Sequence, residues 1–112
     1  MKTGSYGEDL AAKHMEKLGM EVIERNFHGR FGEIDIIAWD KDVLVFTEVK
    51  TRQDKKYGSA LEAITPAKLN KIIKTAHFYM EIEDHRDRQI RIDAAEIYLS
   101  PEEIKYHKNI YP

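Results

Sequence analysis

The stretch GEIDIIAWDKDVLVFTEVK, residues 32–50, decides how this chain is read. Two runs rich in Ile, Val, Leu and Phe flank Asp40-Lys41-Asp42, the pattern of two β-strands joined by a tight turn. The favoured Asn-Gly pair is missing, so the turn type stays open. Glu33, Asp35, Glu48 and Lys50 sit inside these apolar runs, where charges are depleted and almost never fully buried without partners. Side chains alternate across a strand, so Glu33 and Asp35 are expected on one face and Ile34 and Ile36 on the other. Glu48 and Lys50 share a face with Leu44 and Phe46 by the same rule. Simple pairing around the Asp40–Asp42 turn sets Asp35 opposite about residue 47, one short of Glu48. Bringing the two acids together then requires a bulge or twist in the hairpin.

Two carboxylates at about 4 Å, in an effective dielectric near 20, repel by roughly 4 kcal/mol. A cation must compensate them. A hard divalent ion such as Mg²⁺ takes oxygen ligands and keeps several waters. Asp35 and Glu48 would supply the protein oxygens, and Lys50 would reach the same place to act on a water or offset charge on a phosphate. Taken alone, Glu48-Val49-Lys50 is a common surface pair worth about 0–1 kcal/mol. The added Asp on the adjoining strand, and the basic segment that follows, point beyond that.

The whole chain frames this motif. Its 112 residues suit one domain, residues 1–112. A composition 42% hydrophobic and 34% charged is that of a globular protein rather than a disordered one. No apolar run approaches the roughly 20 residues that span a bilayer, and the start MKTGSYGEDLAAKHMEK lacks an apolar signal core. A cytoplasmic protein with no membrane partner is expected. The absence of cysteine excludes disulfides, thiolate metal sites and a cysteine nucleophile. The net charge of −2 is unevenly spread. Residues 1–49 carry six Lys/Arg against ten Asp/Glu, residues 50–74 seven against two, and residues 75–112 five against eight. A basic block directly after the charged strands could be a solvated face, and it is also what phosphate binding requires.

Around the hairpin, Ser5 and Glu8 are spaced as a capping box for a helix from about Tyr6 to Leu18, stopped at Gly19. Leu10, His14, Leu18, Ala11 and Met15 share its apolar arc, with Gly7 inside it, where a missing side chain lets the helix approach a sheet. Glu8 falls at the edge of that arc. MEVIERNF reads as a first strand, and TRQDKKYGSALEAI as a polar, mostly irregular loop. Thr65 and Pro66 start a second helix, whose buried stripe is Leu69, Ile72, Ile73, Ala76 and Met80. Lys71 and Lys74 face away from it, and Lys68 lies near its margin. RQIRIDAAEIYL alternates like a strand, and a final strand through Ile104, Tyr106, Lys108 and Ile110 is favoured over a short helix. The order α-β-β-β-α-β, with that extra C-terminal strand, predicts a mixed sheet flanked by helices.

Neither a glycine-rich phosphate loop nor a Gly-x-Ser-x-Gly elbow is present, and no two of the five histidines are spaced i, i+4. His14 on the apolar arc reads as a semi-buried structural histidine. Trp39 and Tyr57 offer ring faces for base stacking, although Trp39 beside the turn reads as packing. Asp93, within RIDAAEI, reads as structural or network-forming.

Together GEIDIIA, VFTEVKTR, GEDLAAKHMEKLG and RIDAAEI resemble the YraN-type family of predicted bacterial endonucleases. That family is grouped with archaeal Holliday-junction resolvases in the PD-(D/E)xK, restriction-endonuclease-like superfamily, and the likeness runs from Gly7 to about Asn109. It implies an α/β, restriction-endonuclease-like mixed sheet. Asp35 matches the motif aspartate, and Glu48 and Lys50 match its (D/E)xK. Glu8 matches a helix-1 glutamate that in related nucleases can join the metal site. Ile34 stands where the superfamily motif has proline, and Glu33 has no role assigned by that motif. The function expected is Mg²⁺- or Mn²⁺-dependent hydrolysis of phosphodiester bonds in DNA, branched or structured DNA included. Asp35, Glu48 and Lys50 would be catalytic, Asp35, Glu48 and Glu8 the metal ligands, and Arg52, Lys55, Lys56 and Lys68 the contacts to backbone phosphates. A homodimer would suit action on two strands. The alternative is a non-catalytic nucleic-acid-binding module that retains the nuclease fold.

Overall fold

The computed structural model describes residues 3–111. Its elements are α1 (Thr3–Lys17), β1 (Glu21–Gly29), β2 (Gly32–Asp40), β3 (Val43–Arg52), a 3₁₀ turn at Ala60–Ala63, α2 (Pro66–Ile82), β4 (Gln89–Leu99) and β5 (Glu102–His107). The strands lie side by side in chain order. Every neighbouring pair is antiparallel except β3 and β4, which α2 connects as a parallel crossover. This is the expected mixed sheet between helices, consistent with a restriction-endonuclease-like core, and it includes the favoured C-terminal strand, which ends at His107, short of the expected Lys108 and Ile110.

Each helix covers one face of the sheet. Ala11, Ala12 and Met15 of α1 pack on Ile36, Ala38, Val45, Ala95 and Ile97. Ile72, Ala76, Tyr79 and Met80 of α2 pack on Phe27, Ile34, Ile37, Leu44, Phe46 and Ile92. Helix α1 begins at Thr3, so Ser5 lies inside it and the anticipated Ser5–Glu8 capping box is not formed. It closes at Lys17, which leaves Leu18 44% exposed rather than on the buried arc. Gly19, at φ +95°, and the bonds Gly19 N–H to Glu16 O and Met20 N–H to Met15 O make the left-handed helix stop. At the start of α2, Thr65 Oγ1 accepts the Lys68 N–H at 3.2 Å and Pro66 occupies the first turn. Thr65→Ala is expected to cost about 1 kcal/mol in a denaturant titration, because it orphans that donor.

The central hairpin corrects two expectations. Its turn is two residues, Lys41-Asp42, with Lys41 at φ +58° and Asp40 paired with Val43. The ladder then runs without a register shift to Ile36–Thr47, so its continuation faces Asp35 with Glu48 directly. No bulge in this hairpin is needed; the register shift lies instead between β1 and β2, at Val22/Glu24. Second, Ile34 packs in the α2 layer and Ile36 in the α1 layer, on opposite faces rather than one. The backbone breaks its alternation at Asp35, next to Asn26 of β1, which has φ +55°. The β2–β3 ladder stops at that point, and the Val49 N–H donates to Asp35 Oδ2 at 2.8 Å instead of to a strand carbonyl.

Two buried acids outside the hairpin are fully occupied with the fold. Asp93 receives Arg91 through both oxygens at 2.9 and 3.0 Å, the Tyr106 hydroxyl at 2.6 Å and the Asn109 N–H at 2.8 Å. That is the network role expected of it. Glu96 accepts from Ser59 Oγ, Tyr98 Oη and the Leu61 N–H, and lies 2.5 Å from His107 Nε2. Burial works against its charge, but these donors outweigh burial and hold its pKa down at about 2. Glu96 thereby ties the 3₁₀ turn to β4 and β5.

Candidate active site

Where β2 and β3 part, α2 supplies the opposite wall of a cleft of about 440 Å³. Its lining includes Gly32, Glu33 and Asp35 from β2, Glu48 from β3, and Thr65, Lys68, Lys71 and Ile72 at the start of α2. Glu48 is buried, and Asp35 and Lys50 are half-buried. Glu48 Oε1 lies 3.8 Å from Lys50 Nζ and 3.5 Å from Lys68 Nζ. Two acids and two bases thus meet within one turn of strand and one turn of helix.

The electrostatics follow from that crowding. Burial, and next the adjacent Asp35 charge, push the Glu48 pKa up to about 7 despite Lys68 and Lys50. Burial, then contact with Lys68, lowers the Lys50 pKa. For Lys68, burial opposes the charge, but contacts with Lys50 and Glu48 outweigh it and its pKa is raised. The two amines are thus pushed in opposite directions, Lys68 toward holding its proton and Lys50 toward releasing it.

Glu8 stands on α1, across the gap that Asp35 occupies. Burial, followed by the Asp35 charge, raises its pKa, while its carboxylate lies 3.8 Å from Arg25 Nη2 and accepts from Asn26. Among the described residues, no three His, Cys, Asp or Glu side chains are gathered as a metal-holding group. Glu8, Asp35 and Glu48 are accordingly not a preassembled trio, because Glu8 is turned to its β1 partners.

The four cations expected on phosphates separate. Lys68 lines the cleft and touches Glu48. Lys55 pairs with Glu103 of β5 and sits over the Tyr98 ring at 5.3 Å. Lys56 lies over Tyr57, which is 80% exposed, at 5.6 Å. Arg52 ends β3, half-buried beside Tyr98 of β4. Lys71 is exposed, facing away from the buried stripe as expected, and also lines the cleft; its i, i+3 spacing from Lys68 puts both on one edge of α2. Trp39 packs edge-on against His85 at 5.3 Å, away from the cleft lining. His14 is half-buried with its ring 6.1 Å from Tyr106, as its place on the apolar arc suggested.

The donor set fits a hard divalent cation. Mg²⁺ commonly takes only one or two carboxylates and completes its shell with waters and substrate phosphates. A buried Glu forced to share space with Asp35, its pKa raised to about 7, is a pair whose charge such an ion would neutralise.

Among the described residues, no helix is long and apolar enough to cross a membrane. Residues 7–97 match the model of the uncharacterised protein family UPF0102. A UPF0102 protein of Caldanaerobacter subterraneus subsp. tengcongensis is 41% identical over 105 residues, covering 94% of this chain and 86% of that one. One from Clostridium botulinum (strain Loch Maree / Type A3) is 49% identical over 98 residues, 87% of this chain and 80% of that one. One from Mycobacterium sp. (strain KMS) is 45% identical over 92 residues, 80% and 68% of the two chains. By the match over residues 7–97 and by these relatives, the chain belongs to the UPF0102 family.

Proposed function

We propose that this chain is a divalent-metal-dependent nuclease that hydrolyses phosphodiester bonds in DNA, with branched or structured DNA as its substrate class. The observation that carries the reading is the meeting of Asp35 and Glu48 beside Lys50 and Lys68 at the open end of the sheet. The sequence likeness to YraN-type endonucleases and archaeal Holliday-junction resolvases supports it. Bound between the carboxylates, Mg²⁺ or Mn²⁺ would lower the pKa of an attacking water and stabilise charge on the phosphate. Asp35 and Glu48 hold the oxygens for that ion; the Val49 N–H fixes the rotamer of Asp35. Lys50 Nζ, with its lowered pKa, is suited to take a proton from the water. Lys68 and Lys71 line the cleft where the phosphate backbone would run, a contribution that weakens steeply with salt. Action on both strands of a branch calls for two clefts, which a homodimer would supply.

The test is cleavage of branched and linear DNA with Mg²⁺ or Mn²⁺ by wild type, Asp35→Ala and Lys50→Ala. Both variants are expected to fall at least about tenfold, as groups acting directly on the reacting water and phosphate do. Equal activity in all three would identify a contaminant and remove the assignment.

A second reading, a non-catalytic DNA-binding module, draws on the fact that Lys50 and Lys68 already stand beside Glu48. It requires salt-sensitive DNA binding with no Mn²⁺ uptake in a calorimetric titration, and no turnover.

A further inference from the structure

Beyond the cleft, α2 and the β1–β2 turn continue into a second groove of about 550 Å³ that includes Arg30, Phe31, Lys74, His77, Phe78 and Glu81. The two depressions are neighbours along both walls: Phe31 precedes Gly32 of the cleft, and Lys74 follows Lys71 by three residues. Phe31 is 46% exposed at the tip of the turn, an uncommon place for a bare phenyl ring. Arg30 lies over it, 5.8 Å from the ring centroid. Phe78 is held firmly, with its ring 6.3 Å from Phe27 and its edge against Gly29, where an added Cβ would come within 3.1 Å. The groove therefore joins one fixed ring and one half-exposed ring under Arg30 to Lys74 and His77, beside the acid Glu81 and the exposed Ile82.

We propose that this groove is a stacking subsite for an unpaired base of the nucleic acid whose phosphates run through the cleft. The proposal rests on the nucleic-acid reading of the cleft and adds the feature recognised there. Aromatic faces flanked by cations bind single strands because every base has a π-face and every linkage a charge. A second copy of this chain would bury the ring equally well but leaves the cations unexplained. The distance suits a strand continuing from the cut: Lys68 to Lys74 spans about 9 Å of helix axis. That is roughly two to three nucleotides at about 3.4 Å per stacked base. The substrate then carries unpaired nucleotides a few positions from the cleaved bond, as flaps, gaps and branch points do.

Binding is read by fluorescence anisotropy in EDTA, with a labelled oligothymidylate and a labelled blunt duplex, on wild type and Phe31 variants. Phe31→Ala is expected to weaken single-strand binding about tenfold and leave duplex binding unchanged, in line with loss of one stacked base. Phe31→Trp should restore it and Phe31→Leu should not, since leucine keeps apolar bulk without a ring face. Circular dichroism melts check that this exposed position leaves the fold intact. Equal weakening on both ligands, rescue by leucine, or no single-strand binding by wild type would each overturn the subsite. So would a wild-type dimer in sedimentation that Phe31→Ala converts to monomer, which would give the groove to a second copy. Cleavage by wild type and Asp35→Ala, run in parallel, separates the two ideas. Cleavage lost in Asp35→Ala with Phe31 inert removes only the groove, whereas ring-dependent binding without any cleavage removes only the nuclease.

Discussion

Glu48→Gln is expected to abolish metal-dependent cleavage and, in the absence of divalent cations, to make the folded protein more stable at pH 8. The cleavage loss should be at least about 100-fold, because even partners one step removed from a metal are worth 10–100-fold. The stability gain follows from linkage. In the folded chain the Glu48 carboxyl is pushed from its ordinary 4.5 up to about 7, first by burial and then by Asp35. Between those pH values the folded state binds more protons at this group than the unfolded state, so rising pH favours unfolding. The stabilisation is whole below about pH 4.5 and is lost by the time pH has risen through 7. At about 1.4 kcal/mol for each pH unit between the two values, the loss is on the order of 3 kcal/mol. Glutamine has no proton to lose and removes that slope, although Lys50 and Lys68 then repel each other and return part of the gain. Urea titrations at pH 4.5, 6 and 8 check this: the variants should converge at low pH and diverge as pH rises. Millimolar Mn²⁺ at pH 8 should raise the melting temperature of wild type but not of Glu48→Gln. A Glu48→Gln protein that is less stable than wild type at pH 8 would make Glu48 the lysines' structural partner and sink the strained-carboxylate account.

That strain was legible in the sequence as a contradiction, two acids within apolar strands, before any geometry was known. The strands and α2 were legible too, since alternation and the Thr65-Pro66 start are local signals that tertiary packing reinforced. What escaped was set by backbone geometry rather than side-chain pattern. A turn of two residues and a turn of three differ only in whether Asp40 pairs, and Lys41 at φ +58° carries no sequence mark as strong as glycine. The one-residue difference moves Asp35 from opposite Thr47 to opposite Glu48, which decides whether a site exists at all. The break in alternation at Asp35 was hidden for a related reason. Ile34 and Ile36 are both buried, so apolar character alone does not say that they lie on opposite faces. Lysines were the least legible, because long side chains reach either way. Lys55 was drawn off to Glu103 by β5, and Lys71, exposed as expected, also lines the cleft.

Gly7→Ala is expected to destabilise the protein by about 2 kcal/mol, although the same change inside an isolated helix is stabilising by about 1 kcal/mol. A Cβ at Gly7 would stand 2.0 Å from Thr51 Oγ1, 3.1 Å from Thr51 Cβ and 3.2 Å from Thr51 Cγ2. Contacts that short force α1 away from β3, and the propensity gain is too small to offset the overpacking. Thr51 Oγ1 is itself buried without a hydrogen-bond partner among the described residues, so Thr51→Ala alone gives up no bond seen there and should cost little. The double variant Gly7→Ala/Thr51→Ala removes the closest atom and should recover more than half the loss, a coupling above about 1 kcal/mol in a double-mutant cycle. The same displacement should reach the site. Glu8 follows Gly7 on α1, and its carboxyl feels the Asp35 charge across the gap between β2 and β3. Moving α1 outward lets water into that gap and lowers the Glu8 pKa toward its ordinary value, which a titration followed by NMR can read in wild type, Gly7→Ala and the double variant. A Glu8 titration unchanged in Gly7→Ala would mean that α1 yields only at its first turn and that the helix does not transmit the clash. A shift that the double variant reverses would tie the approach of helix to sheet at one glycine to the electrostatics of the carboxylates beside it.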